Sequence, residues 1–83
     1  MNAIPGDQVF NLVDRYGLPL ELILERCQEE NLVVDILQFT KIALQKNWNK
    51  ERLFQKIKEA YTDIYGEDHA NIIINRLREI YAR

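Results

Sequence analysis

One cysteine, Cys27, leaves the chain no partner for an internal disulfide, and one histidine, His69, cannot build a multi-histidine metal site. Three glycines and two prolines are too few for collagen-like or low-complexity sequence. No Gly-rich phosphate loop occurs. Long apolar runs are missing too. Residues 18–24 are interrupted by Pro19 and Glu21, whereas a membrane-spanning helix needs roughly 20 apolar residues. The first seven residues carry neither a basic stretch nor an apolar segment, which argues against a secretory signal and, with the lone thiol, for a cytoplasmic protein. Charge of one sign is scarce as well. The net charge of −2 excludes a uniformly basic polyanion binder and a strongly acidic nucleic-acid mimic. What remains is globular: 83 residues, 47% apolar and 29% charged, the length of a single helical domain over 1–83.

The punctuation is helical throughout. The spacing predicts five short helices, near 8–16, 19–30, 36–47, 50–65 and 69–82, in an all-α, compact orthogonal bundle with no sheet. Asp7 reads as the cap of the first, whose apolar stripe is Val9, Leu12, Val13 and Tyr16. Gly17 supplies its left-handed stop, and Pro19 suits the first turn of the second helix. Leu20, Ile23, Leu24 and Cys27 form the second stripe, and Asn31 can end that helix. Asp35 with Gln38 three residues on is a capping-box pattern. Ile36, Phe39, Ile42 and Ala43 follow, with Asn47 or Trp48 as the stop. Asn49 caps a fourth helix bearing Leu53, Ile57, Ala60, Tyr61 and Ile64, which Gly66 closes. Asp68 caps the last, with Ile73, Leu77, Ile80 and Tyr81. The D-x-Y-G pattern recurs at 14–17 and 63–66 and reads as two independent glycine stops.

The stretch Phe10-Asn11-Leu12-Val13-Asp14-Arg15-Tyr16-Gly17-Leu18-Pro19-Leu20-Glu21-Leu22 resembles a segment of alanyl-tRNA synthetases, whose pattern there runs F-x-L-Y-D-T-Y-G-F-P-L-D-L. The likeness continues through Val34-Asp35 to Phe39 and covers residues 9–39; residues 40–83 show no such counterpart. It implies a helix, a tight corner and a second helix, with Tyr16, Gly17, Pro19 and Asp35 as its structural residues. In the family this segment belongs to the helical tRNA-recognition region. Val13 and Arg15 stand where the family has Tyr and Thr. The synthetase motifs for ATP and alanine, and the ligands of the editing zinc, have no counterparts here. The resemblance also suggests a phage-encoded or accessory protein with a borrowed corner.

Little in the chain can do chemistry. Cys27 falls on an apolar stripe and reads as a buried structural thiol, 42 residues from the one histidine. Glu67, Asp68 and His69 are neighbours in one loop and do not converge readily on an ion. No catalytic residue, metal or cofactor is expected, and the chain is not read as an enzyme. Charge, by contrast, is patterned. Residues 1–40 hold seven acids against two bases, residues 41–60 six bases against two acids. Glu21, Glu25 and Glu29 repeat one turn apart and form a candidate acidic partner-binding face. Lys41, Lys46, Trp48, Lys50, Arg52 and Lys56 form a candidate basic face on which lysines hold phosphates and Trp48 stacks a base, plugs the core or meets a protein partner. The leading expectation is a small non-catalytic interaction module, a protein-binding regulator or inhibitor with separate acidic and basic faces. The alternative is an RNA-, tRNA- or DNA-binding module that uses residues 41–58. A homodimer is compatible with both, and a membrane partner is not expected.

Overall fold

Five helices and one minimal strand pair make up residues 2–81, the part that the computed structural model describes. The order is β1 (Ala3–Ile4), α1 (Gly6–Asp14), α2 (Leu20–Glu29), β2 (Val33–Val34), α3 (Ile36–Gln45), α4 (Lys50–Tyr65) and α5 (Glu67–Ile80). The all-α bundle stands, with α1 packed on α3, α2 on α4 and α4 on α5. One cluster of buried side chains, drawn from all five helices, forms the core. Thr40 is the one polar side chain buried with it among the described residues; its hydroxyl donates to Ile36 O at 2.7 Å, so no polar atom is stranded.

The expectation of no sheet needs one amendment. Ala3 pairs with Val33 and Ile4 with Val34 in parallel, flanked by Val33 N–H to Asn2 O and Asp35 N–H to Ile4 O at 3.1 and 3.0 Å. Strands of two residues leave no alternating pattern, so no sequence signal announces them. The pairing changes the helix caps next to it. Asp35 caps α3 as expected, its Oδ1 accepting from Gln38 N–H at 3.1 Å. The second half of the capping box does not form, because the Asp35 N–H is already given to Ile4. The Gln38 side chain instead reaches 32 residues back in the chain, where its Oε1 accepts the Gly6 N–H at 2.6 Å. This bond caps α1, which starts at Gly6 behind Pro5. Asp7 is therefore not the cap: it lies in the first turn and accepts from Gln8 N–H.

The helix ends follow the backbone rules. Asn31 and Asn47, at φ 56° and 66°, end α2 and α3. After each the chain closes a Schellman turn: Leu32 N–H to Cys27 O (2.8 Å) with Asn31 N–H to Gln28 O, and Trp48 N–H to Ala43 O (3.0 Å) with Asn47 N–H to Leu44 O. Asn49 caps α4 by accepting from Arg52 N–H at 3.0 Å. The two D-x-Y-G glycines differ. Gly17 is left-handed at φ 67°. Gly66, at φ 98° and ψ 164°, is the single residue between α4 and α5. Helix α5 thus begins at Glu67, and Asp68 is a first-turn residue rather than its cap.

Two expected stripes shift. Tyr16 lies beyond the end of α1 and is 68% exposed; Phe10 takes the aromatic place in the core beside Val9 and Val13. On α5 the buried line is Ala70, Ile74 and Leu77, while Ile80 is exposed. The expected end of α5 at residue 82 lies outside the described residues.

Burial of Tyr61, at 4% exposure, raises its phenol pKa well above the ordinary 10.0, with smaller contributions from Tyr65 and Cys27. Tyr65 and the Cys27 thiol are raised too, each mainly by burial. In every case the folded state holds the proton more tightly than the unfolded chain. Stability is therefore full below the unfolded pKa values and falls as pH climbs above about 9 to 10. Urea midpoints measured from pH 8 to 11 should stay level and then decline, and Tyr61→Phe should lessen the decline at the upper end of that range. An undiminished decline in that variant would show that another group drives it.

Candidate nucleic-acid interface

Trp48 follows Asn47 in the Schellman turn that ends α3, a position whose side chain turns back onto the helix it follows. Its ring packs 5.2 Å from Phe10 and 6.2 Å, edge-on, from Phe39. It is half-buried and packed against the core. Trp48 also forms one wall of a groove of about 500 Å³ that Asp7, Phe10, Asn11, Asp14, Ile42 and Lys46 complete. Asp7, Asn11 and Asp14 come from successive turns of α1; Ile42 and Lys46 lie one turn apart at the end of α3. With two carboxylates, an amide and one ammonium, the groove suits a partner that offers N–H and O–H donors beside an aromatic surface. It is a poor pocket for a phosphate alone.

The basic face does not assemble as one patch. Lys46 joins Trp48 at this groove. Lys41 is exposed on α3, about 140° around the helix from the Lys46 position. The Lys50 ammonium donates to Tyr81 O at 2.8 Å, which ties it to the carbonyl end of α5, where helix polarity favours a cation. Arg52 and Lys56 stand one turn apart on the outside of α4. Lys56 also lines a second groove, of about 470 Å³, with Gly17, Leu18 and Pro19 of the corner and with Glu21 and Glu59. The six candidates therefore occupy separate places, with Trp48–Lys46 and Arg52–Lys56 as the pairs brought together.

The acidic face is divided as well. Glu21 lines the second groove together with Lys56. Glu25 and Glu29 rim a third groove of about 420 Å³ whose floor is Leu12, Ile23 and Leu32. Next to them Arg26 pairs with Glu30 on the open surface, where water screens the attraction and leaves it little weight in stability. Of the corner residues, Gly17 turns the chain, Pro19 precedes the first turn of α2 and Asp35 caps α3, while Tyr16 stands in solvent.

Sequence reasoning missed Asp7, Asn11 and Asp14 as groove residues, although their spacing along α1 was visible. It also missed a stack of Tyr61, Tyr65 and His69 across the α4–α5 corner, with ring centroids 4.8–5.8 Å apart. Among the described residues, no three His, Cys, Asp or Glu side chains gather where they could hold a metal ion, and no helix is long and apolar enough to cross a membrane.

The family described as tRNA synthetases class II (A) matches residues 1–77, and the chain belongs to that family. Its relatives include the alanine–tRNA ligases of Blochmanniella floridana (42% identical over 63% of this chain), Delftia acidovorans (42% over 68%) and Prochlorococcus marinus (33% over 90%). The chain spans only 6–8% of the length of these enzymes. No solved structure matches it.

These findings bear out the alanyl-tRNA synthetase resemblance and extend it well past residue 39, into the segment for which no counterpart was expected. They overturn the leading functional expectation. Matches to tRNA ligases along nearly the whole chain point to a synthetase-related unit and not to a protein-binding regulator or inhibitor; the RNA-binding alternative is the better reading. A protein partner, a homodimer and a phage origin gain no support from them.

Proposed function

We propose that the chain is a non-catalytic, RNA-binding helical module of the synthetase type, and that the RNA is tRNA. The observation that carries this reading is the family match over residues 1–77, which takes in α1 to α4 and most of α5. The site agrees with it chemically. Lys46, Arg52 and Lys56 each reach solvent and can neutralise phosphates. Asp7, Asn11 and Asp14 accept hydrogen bonds from base amino groups and from ribose 2′-hydroxyls, the group that marks RNA. The exposed edge of Trp48 adds an apolar surface. The carboxylates of α2 limit how many phosphates approach, so the footprint is small.

Binding of bulk tRNA, followed by fluorescence anisotropy, should weaken with salt at a log–log slope of about −2 to −3, as expected for about three phosphate contacts. Lys46→Glu should weaken binding by about tenfold or more. A DNA duplex of equal length, which lacks the 2′-hydroxyl, should bind less tightly. No tRNA binding at about 50 mM salt would sink the reading.

A further inference from the structure

The alanyl-type corner presents a side chain whose place no packing demand explains. Phe10, Phe39, Phe54 and Tyr61 are buried and Trp48, Tyr65 and Tyr81 half-buried, yet Tyr16 is 68% exposed, the one fully exposed Phe, Tyr or Trp among the described residues. Helical periodicity would place it in the core beside Val9 and Val13. The chain leaves the helix before that can happen. Tyr16 N–H donates to Asn11 O at 3.3 Å, Leu18 N–H donates to Leu12 O at 3.0 Å, and Gly17 holds φ 67° between them. The backbone around Tyr16 is thus fixed at both sides, which leaves the side chain on the outside of the corner.

Its neighbours are suited to nucleic acid. Arg15 precedes it and is exposed. On the other side the Gly17–Leu18–Pro19 turn borders the groove that Lys56 enters from α4. Glu21 and Glu59 line that same groove and keep a phosphate from settling inside it. Backbone phosphates are therefore drawn to the outer side, toward Arg15, and a base is left to meet the ring. A base inside a duplex is already stacked on its neighbours and cannot present a face, so the ligand is an unpaired nucleotide.

We propose that Tyr16, with Arg15 beside it, is a stacking platform for one unpaired nucleotide of the bound RNA. The inference rests on the RNA-binding reading and adds a second contact point, at the corner and apart from the Trp48 groove. Base–aromatic stacking tolerates every base, so the platform selects for the lack of pairing and not for sequence.

The test uses two RNA hairpins, one blunt and one with a short single-stranded overhang carrying 2-aminopurine. Binding is measured with the unaltered chain, Tyr16→Ala and Tyr16→Trp, each checked for helix content by circular dichroism. The unaltered chain should prefer the overhang by about tenfold and quench its fluorescence, the effect of one stacked base. Tyr16→Ala should abolish both the preference and the quenching, with blunt-hairpin binding and the salt slope unchanged. Tyr16→Trp should retain both. An overhang preference that survives Tyr16→Ala overturns the platform, as it would if Tyr16 is covered by polypeptide, and leaves RNA binding intact. Failure of the unaltered chain to bind either hairpin overturns the RNA-binding reading along with it.

Discussion

Phe39→Ala is expected to lower the unfolding free energy by about 3–5 kcal/mol, the usual cost of a cavity that size in a packed core. Phe39 is 0% exposed, and its ring lies 6.2 Å from both Phe10 and Trp48. The aromatic cluster joins α1, α3 and the turn after α3, so the neighbours can collapse into the gap only if α1 moves. A domain of this length has a total stability on the order of 4–12 kcal/mol, and the substitution removes a large share of it. Urea unfolding followed by circular dichroism measures the loss, and Trp48 emission reports whether the indole becomes more exposed. Phe39→Leu, which keeps most of the volume, should lose far less. A loss below about 1 kcal/mol for the alanine variant would show that the cluster is loosely packed.

Gly6→Ala is expected to be comparably severe, by about 3 kcal/mol, for the opposite reason: too much volume instead of too little. A Cβ at Gly6 would overlap the Phe39 backbone nitrogen and come within 2.6 Å of the Gln38 carbonyl carbon. Neither obstacle is the tip of a flexible side chain, so α1 and α3 would have to separate. Separation would also stretch the Gly6 N–H bond to the Gln38 side chain that caps α1. Gly17→Ala is the control. It meets nothing within 4 Å but sits at φ 67°, so it loses only about 1–2 kcal/mol of backbone preference. Comparative urea unfolding should rank Gly6→Ala as the more damaging; the reverse order would remove the close approach of α1 to α3. Gly6→Ala should also weaken tRNA binding, because Asp7, Asn11 and Asp14 ride on α1.

The helices were legible because each carries its own signals. Asn31, Asn47 and Gly17 tolerate positive φ, Asp35 and Asn49 accept the first backbone N–H groups of α3 and α4, and Leu20, Ile23, Leu24 and Cys27 recur at helical spacing. These are short-range effects, settled within five or six residues. Tyr16 misled for the same reason. Its spacing continues the α1 stripe, but two backbone hydrogen bonds after Asp14 end the helix just before it.

The functional surface was legible only in its ingredients. Trp48 and the lysines of residues 41–58 stand out in sequence, yet whether they form one face depends on which helix each one meets. Lys50 is drawn to the end of α5 and Lys56 to the corner between α1 and α2. Lys46 instead meets carboxylates on α1, more than 30 residues earlier in the chain.

By itself the sequence determined the number and order of the helices, most of their stops and the kinship of the corner, because propensity, capping and glycine geometry act locally. Only the tertiary structure decided that Gln38 caps a distant helix, that Gly6 must lack a side chain, and that the basic residues are split. Each of these depends on two segments far apart in the chain coming within bonding or contact distance, and that closeness is a property of the packed core, which local spacing does not encode.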